Sequence, residues 1–279
     1  MRPATSDIRK TPDRPGGLDG QIAIVTGGSS GIGRQVCLAL AQAGASVVVV
    51  GRNSARLAAV VAEVEAVSPA GAFSRGALGL KLDVCREEDM AKMAAQTLKH
   101  FGRIDILVAS AGILRGEDSR PAMLLGLTSQ EWDRVVDTNL KGVFLSNRAV
   151  LKTMREQRFG QIINVASLTG RRAVAFDTPY SASKFGVVGL TEALAREMQP
   201  YGVRVQGMLP GNTDTPIWSQ NEPLPRAAQT LPASRVAGLI VFMLTRPQDS
   251  TLGELAIAPL RPKAPSASRL GYPEPQASS

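Results

Sequence analysis

The chain has 279 residues, 44% of them hydrophobic and 20% charged, an ordinary globular balance that excludes a wholly disordered chain. Its formal charge of +8 favours acidic partners such as phosphates, but the basic residues are scattered and aromatics amount to only 4%, which argues against a nucleic-acid surface. No apolar run approaches the roughly 18 residues that span a bilayer, and the N-terminal MRPATSDIRKTPDRPGG has no hydrophobic core for a signal peptide, so a cytoplasmic protein with no membrane partner is expected.

Residues 1–18 form a polar, proline-bearing arm, expected to be disordered. Strands are then expected at IAIVTG from Ile22, SVVVVG from Ser46, LGLKLDV from Leu78, IDILVASAG from Ile104, GQIINVAS from Gly160 and VRVQGMLPG from Val203, with a short seventh at LAIAPL from Leu255. None alternates cleanly with polar residues, as parallel strands buried on both faces should not. Helical patterns at 33–43, 55–67, 87–100, 129–157, 179–199 and 234–245 separate them. The repeated strand–helix order implies right-handed crossovers and an α/β fold, a doubly wound parallel sheet (Rossmann fold) in one domain over 19–260. The tail 261–279, rich in Pro, Ser and Gly, is again expected to be disordered. Two cysteines, Cys37 and Cys85, and one histidine, His100, give no metal-ligand spacing, so no metal site is expected and the thiols read as reduced.

The first strand ends in Thr26-Gly27-Gly28-Ser29-Ser30-Gly31-Ile32-Gly33 and a helix follows at once. Glycines in that turn let the backbone approach a pyrophosphate, and the helix N-terminus offers free N–H groups, so Gly27, Ser29, Ser30, Gly31, Ile32 and Gly33 are expected to hold a dinucleotide. The second strand closes with Val50-Gly51-Arg52-Asn53, with an arginine where NAD-preferring sites carry an acid. A guanidinium holds a 2′-phosphate, so NADP(H) is expected at Arg52 and Asn53; a merely solvated Arg52 is the alternative. Asp83, followed by Val84, closes the third strand. It is placed to accept a hydrogen bond from the adenine amine or, equally, to cap the helix beginning at Arg86.

The same turn also fits a G-x-S-x-G nucleophile elbow with Ser29 as a hydrolase serine, followed by Asp83 and His100 in hydrolase order. Against it, His100 falls at the end of a helix, and an elbow on the first strand has nothing upstream to supply an oxyanion loop.

Tyr180-Ser181-Ala182-Ser183-Lys184 sets a tyrosine and a lysine four residues apart on one helix face. A free phenol titrates near pH 10, and a neighbouring ammonium stabilises its anion, which suits general acid–base work. Thirteen residues upstream, Ser167 ends a strand where its hydroxyl can meet a substrate oxygen, and Asn139 lies inside a long helix in Thr138-Asn139-Leu140-Lys141-Gly142. Together TGGSSGIG, LDV, ASAG, TNLKG, Ser167, YSASK and the Pro210-Gly211 turn leading to Thr215 resemble the short-chain dehydrogenase/reductase family, in its order, from about Leu18 to Pro259. The resemblance implies hydride transfer between NADP(H) and a small carbonyl or alcohol, with a tetrad of Asn139, Ser167, Tyr180 and Lys184. In it Tyr180 protonates the carbonyl oxygen, Ser167 orients it, Lys184 binds the nicotinamide ribose and Asn139 holds a relay water. It also implies cofactor contacts from Ala111 and Gly112 and from Pro210, Gly211, Thr213 and Thr215, besides Asn139, Tyr180 and Lys184. A dinucleotide sensor on the same fold is the competing function, which a broken tetrad would favour; this tetrad is intact.

Several features depart from the family pattern. Ala109-Ser110-Ala111-Gly112 replaces the usual NNAG, the segment 115–127 is longer than common, and the lid after Thr215 is short and carries Pro216, Pro223, Pro225 and Pro232. The usual C-terminal VDGG-like ending is absent, which leans away from 3-oxoacyl-carrier-protein reductases toward reductases of small hydroxy acids, sugars or ketones. Leu168, Thr169, Phe176, Asp177, Asn212 and Trp218 are the expected pocket residues, while Arg171 and Arg172 read as surface arginines before substrate contacts. Apolar residues beyond one helix face, Val143, Phe144, Val187, Val188 and Leu190, suggest with the resemblance a homodimer or homotetramer.

Overall fold

The apolar runs form one parallel sheet. The computed structural model describes residues 17–69, 76–116, 120–221 and 229–260. Its strands are β1 (Ile22–Thr26), β2 (Ser46–Gly51), β3 (Ala77–Lys81), β4 (Ile106–Ala109), β5 (Gly160–Val165), β6 (Val203–Pro210) and β9 (Glu254–Ile257). They lie in the order β3-β2-β1-β4-β5-β6-β9. Two short strands, β7 (Thr213–Asp214) and β8 (Leu231–Pro232), pair apart from the sheet and were not foreseen.

Side chains alternate between two cores. Ala23, Val25, Val47 and Val49 pack on one face with Val36 and Leu40 of helix α1 (Gly31–Gln42), with Val60 of α2 (Ser54–Val67), and with Val236 and Ile240 of α7 (Ala233–Leu244). Ile22, Ile24, Val48 and Val50 pack on the other with Met90 and Met93 of α3 (Glu87–Phe101). With water excluded from both faces, no polar residue is needed at alternate positions, which is why the strands read as continuous apolar runs. The chain leaves β1 in one direction to reach β2 and β3, and in the other to reach β4 and β5. The crevice of such a sheet opens at the carboxyl ends of β1 and β4, where the order reverses.

The sheet is pinned by buried polar groups. The Asp105 carboxylate, fully buried, accepts the Ile22 N–H at 2.9 Å and is gripped by Arg103, whose Nε donates to both oxygens at 2.8 and 2.9 Å and whose Nη2 donates at 2.6 Å. Asn147 donates to Asn164 Oδ1 at 2.8 Å, and Asn164 donates to Thr191 at 3.1 Å. These bonds tie α5 (Gly142–Gln157) through β5 to α6 (Thr178–Met198).

Four expectations need correction. The helix expected over 129–157 is broken into α4 (Ser129–Val136), a π turn (Asp137–Lys141) and α5. Val143, Val187 and Val188, expected on an oligomer face, are buried inside the protomer against Ala109, Ala166 and Leu209, with Leu190 packed against them; of the five only Phe144 is exposed. Asp83 does not cap α3: its Oδ1 accepts the Cys85 N–H at 3.0 Å, and Arg86 is the N-cap without a side-chain bond. Leu18, assigned to the arm, is buried in the core and donates its N–H to Ala43 O at 2.7 Å. Residues 1–16 of the arm and the tail from 261 lie outside the described residues. No helix among those described is long and apolar enough to cross a membrane.

Candidate active site

The turn after β1 is shaped by what its glycines leave out. Gly27 has φ +68°, and a Cβ there would sit 2.7 Å from Ala111 Cα, so the turn lies directly against the chain leaving β4. A Cβ on Gly33 would fall 2.3 Å from Gly27 O, so α1 packs on the turn that precedes it. Gly31, at φ +53°, brings the helix start to within van der Waals reach of Thr215. No side chain caps α1 and no acid stands in its first turn, so the positive end of its dipole is uncompensated. The cradle suits a dianionic pyrophosphate, whose oxygens backbone N–H groups would hold.

This turn forms one wall of a cleft of about 1650 Å³. Every residue expected to bind the cofactor lines it, from Ser29 and Ile32 through Arg52, Asn53, Asp83 and Val84 to Gly112, Pro210, Gly211, Thr213 and Thr215, with one exception. Asn139 stands behind the wall, fully buried in the π turn. Its Oδ1 accepts the Ile113 N–H at 2.8 Å, and its Nδ2 donates to Ile113 O at 2.8 Å and to Ser183 Oγ at 3.1 Å. The amide thus pairs with Ile113 as a strand neighbour would. Asn53 has a local duty as well: its side chain caps α2 by accepting the Arg56 N–H at 2.9 Å. Arg56 lines the same end of the cleft as Arg52, a second cation that sequence reasoning missed although it lies only four residues on.

Ser167, Tyr180 and Lys184 share the cleft wall. Ser167 follows β5 in extended conformation and accepts the Thr169 N–H at 3.1 Å. Tyr180, half-buried on the first turn of α6, has its phenol pushed up by burial. A hydrogen bond with Ser167 pulls it down, and the Asp177 carboxylate pushes it up again. Lys184, one turn on, is buried and donates to Val165 O at 3.1 Å, with Nζ 5.6 Å from the Tyr180 ring centre. Burial lowers its ammonium to about 8, so it remains mostly charged at neutral pH. A Cβ on Gly112 would lie 3.3 Å from Asn139 Oδ1 and 3.6 Å from Lys184 Nζ, so the chain leaving β4 passes close to both groups.

The substrate end is closed by groups the sequence did not connect. Arg115, in the long segment after β4, is buried and ion-paired with Asp177, itself a cleft residue. Gln220 Oε1 accepts the Leu114 and Arg115 N–H groups at 2.8 and 3.1 Å, and Arg115 Nη1 returns a bond to Gln220 O at 3.3 Å. The expected pocket residues Leu168, Thr169, Phe176, Asp177, Asn212 and Trp218 all face this end. Arg171 lines the rim but is held by Glu192 and Glu254, each at 2.7 Å. Of the lid prolines, Pro216 lines the cleft and Pro232 sits in β8, while Pro223 and Pro225 lie outside the described residues. His100 stacks edge-on against Phe101 at the end of α3 and is not on the wall that Ser29 lines, so the pair a serine hydrolase needs is not assembled.

A glycine-cradled crevice facing a Ser, Tyr and Lys cluster defines a nucleotide-dependent oxidoreductase. A family model for short chain dehydrogenase matches residues 21–224, and the chain belongs to that family of NAD(P)-dependent enzymes. It is 37% identical over 237 residues to a 3-oxoacyl-[acyl-carrier-protein] reductase of Synechocystis sp., covering 82% of this chain and 91% of that one. Among solved structures, levodione reductase superposes with a TM-score of 0.78 at 31% identity, over 86% of this chain and 96% of that one. A variant of actinorhodin polyketide ketoreductase with NADPH superposes at 0.76 and 30%, over the same shares.

Proposed function

We propose that the chain is an NADP(H)-dependent reductase of a small carbonyl compound, with Tyr180 as the proton donor. The observation that carries this reading is the convergence of Tyr180, Ser167 and Lys184 on the wall of the cleft that the glycine turn also lines. When bound, the nicotinamide supplies the hydride. Ser167 holds the carbonyl oxygen beside the Tyr180 hydroxyl, whose proton completes the alcohol. A phenol raised by burial keeps that proton at neutral pH, so the protein rests as an acid, which favours reduction. Lys184 orients the ribose and provides the charge that eases proton loss from Tyr180. Asn139 acts from behind, fixing Ile113 on one side and the Ser183 hydroxyl on the other; that hydroxyl donates to Tyr180 O at 2.7 Å.

The preference for NADP(H) is supported by Arg52 and Arg56 at the end of β2, where no carboxylate would repel a 2′-phosphate. We further propose a homodimer or homotetramer joined through α5 and α6, whose Phe144 and Phe185 are 40% and 45% exposed. A cytoplasmic setting accords with the free thiols of Cys37 and Cys85.

Fluorescence titration with NADPH and NADH, in wild type and Arg52→Asp, tests the cofactor. NADPH should bind the variant at least about tenfold more weakly, the loss of one charge-assisted contact, while NADH changes little. Equal wild-type affinities would refute the preference, and binding of neither would refute the reading. Tyr180→Phe should keep NADPH affinity and lose about 100-fold or more in turnover; full turnover would exclude Tyr180 as the donor.

A further inference from the structure

The substrate end of the cleft is rich in apolar surface: Leu114, Leu168, Val174, Phe176, Ile217 and Trp218 line it. Two of the cations that face it are paired with acids. Arg115, 7% exposed, is matched by Asp177 within the wall, and its Nη1 and backbone N–H are engaged by Gln220. Arg171 is matched by Glu192 and Glu254, and the Lys184 ammonium donates to Val165 O. Arg172 is exposed to water at the rim. A carboxylate carried into this pocket would lose its hydration and find the Arg115 guanidinium already paired with Asp177, whereas a hydrocarbon substituent would gain by burial.

The turn that delivers Asp177 is itself specialised. Phe176 adopts φ 67°, a left-handed conformation that a bulky side chain rarely accepts. The strained residue brings the carboxylate under Arg115 while Phe176 presents its ring to the cleft. Strain of this kind persists only where the surroundings hold it, here by the ion pair on one side and the Ser181 N–H to Asp177 O bond of 2.8 Å on the other.

We propose that the Arg115–Asp177 pair is the specificity determinant of the site, cancelling the Arg115 charge in a largely apolar substrate end while the Lys184 charge is committed to the ribose, so that the site selects a ketone without an ionised group beside the carbonyl. This rests on the reductase reading above and narrows it to one substrate class. It also departs from the small hydroxy acids and sugars toward which the missing C-terminal turn leaned.

The test is a binding measurement on the full chain saturated with NADP⁺, so that no reduction occurs. Tryptophan fluorescence, reporting on Trp218, follows 4-phenyl-2-butanone and 2-oxo-4-phenylbutanoate, which differ only by a methyl or a carboxylate on the carbonyl. Wild type should bind the ketone at least about tenfold more tightly, as exclusion of one uncompensated charge requires. Asp177→Asn leaves Arg115 unneutralised and should shift the ratio at least about tenfold toward the keto acid. The double variant Arg115→Met/Asp177→Asn, neutral again, should return to the ketone, and it carries the test if the single variant does not fold. A wild type that binds the keto acid as well as the ketone, a ratio unmoved in Asp177→Asn, or binding of neither ligand would overturn the proposal. The NADPH titration judges the cofactor reading separately, so the two failures are distinguishable.

Discussion

Gly33→Ala isolates the role of the phosphate turn. Gly33 has no positive φ, so its backbone would accept alanine; what forbids it is space. The added Cβ would lie 2.3 Å from Gly27 O, 2.8 Å from Gly27 C and 3.1 Å from Gly28 Cα. All three are backbone atoms, so no rotamer change relieves the contact, and α1 or the turn must retreat by about 1 Å to regain an ordinary separation. Overpacking of this kind costs about 1–3 kcal/mol, and the better helix propensity of alanine returns about 1 kcal/mol. The net loss should be about 0–2 kcal/mol, a fall in Tm of up to about 8 °C for a chain of this size. Binding should suffer more, because a 1 Å shift takes the first-turn N–H groups out of hydrogen-bond range of the phosphates. Two charge-assisted bonds at about 1.5–3 kcal/mol each amount to a loss in NADPH affinity of about 100-fold or more. Thermal unfolding and NADPH fluorescence measure the two effects. Gly238→Ala serves as the control: it lies in α7 with nothing within 4 Å of its added Cβ, and it should gain about 0.5–1 kcal/mol. If Gly33→Ala matched that control in stability and bound NADPH as wild type does, the close packing of helix on turn would not be what holds the site.

The Lys184 ammonium is lowered to about 8 from 10.5, so burial disfavours the charged form in the folded state. Below pH 8 both states hold the proton and the full penalty, roughly 3 kcal/mol, is present; between pH 8 and about 10.5 only the unfolded chain holds it, so stability rises. Lys184→Met should therefore gain about 2 kcal/mol at pH 7, after loss of the bond to Val165 O, while activity vanishes. Wild type should close that gap between pH 8 and 10.5, as read by chemical unfolding at each pH; a pH-independent gap would contradict the buried cation. Asp105→Ala strands the buried Ile22 N–H at the head of β1, whereas the Arg103 side chain, 54% exposed, can return to water. It should cost about 2 kcal/mol in urea unfolding, and a loss below about 0.5 kcal/mol would mean that β1 is not pinned there.

The sheet was legible because its strands are buried on both faces, so Ile22–Thr26 and Ser46–Gly51 stand out as unbroken apolar runs between turn residues. The turn residues Gly27 to Gly33 were legible because a single local stretch carries both the φ freedom and the close approach. Long-range pairings were not. Arg115 and Asp177 lie 62 residues apart, and no spacing rule brings them together. Their segments look like irregular loop in sequence, so an arginine there reads as surface charge. The misplaced oligomer face has a different cause. Val143, Val187 and Val188 are apolar outside the stripe that meets the main sheet cores, which suggested a partner subunit. They face instead a third core against Ala109, Ala166 and Leu209, inside the same protomer.

The π turn joins these points. A 3.6-residue pattern runs on through 129–157 without a proline to stop it, and propensity gives no reason to interrupt it. The interruption is tertiary: Asn139 is fully buried and satisfied only by pairing with Ile113 and Ser183, a geometry that a regular helix does not supply at that position. One extra residue in the turn, closed by Gly142 N–H to Asp137 O, resets the phase of α5 relative to α4. Gly142 then becomes necessary for a second reason, since a Cβ there would meet Val84 Cγ2 at 2.7 Å, and Val84 lines the nucleotide end of the cleft. The short motif Thr138-Asn139-Leu140-Lys141-Gly142 thus does two jobs from one distortion. Its amide braces the chain beneath Tyr180, and its glycine lets α5 close on the residues that flank the nucleotide end.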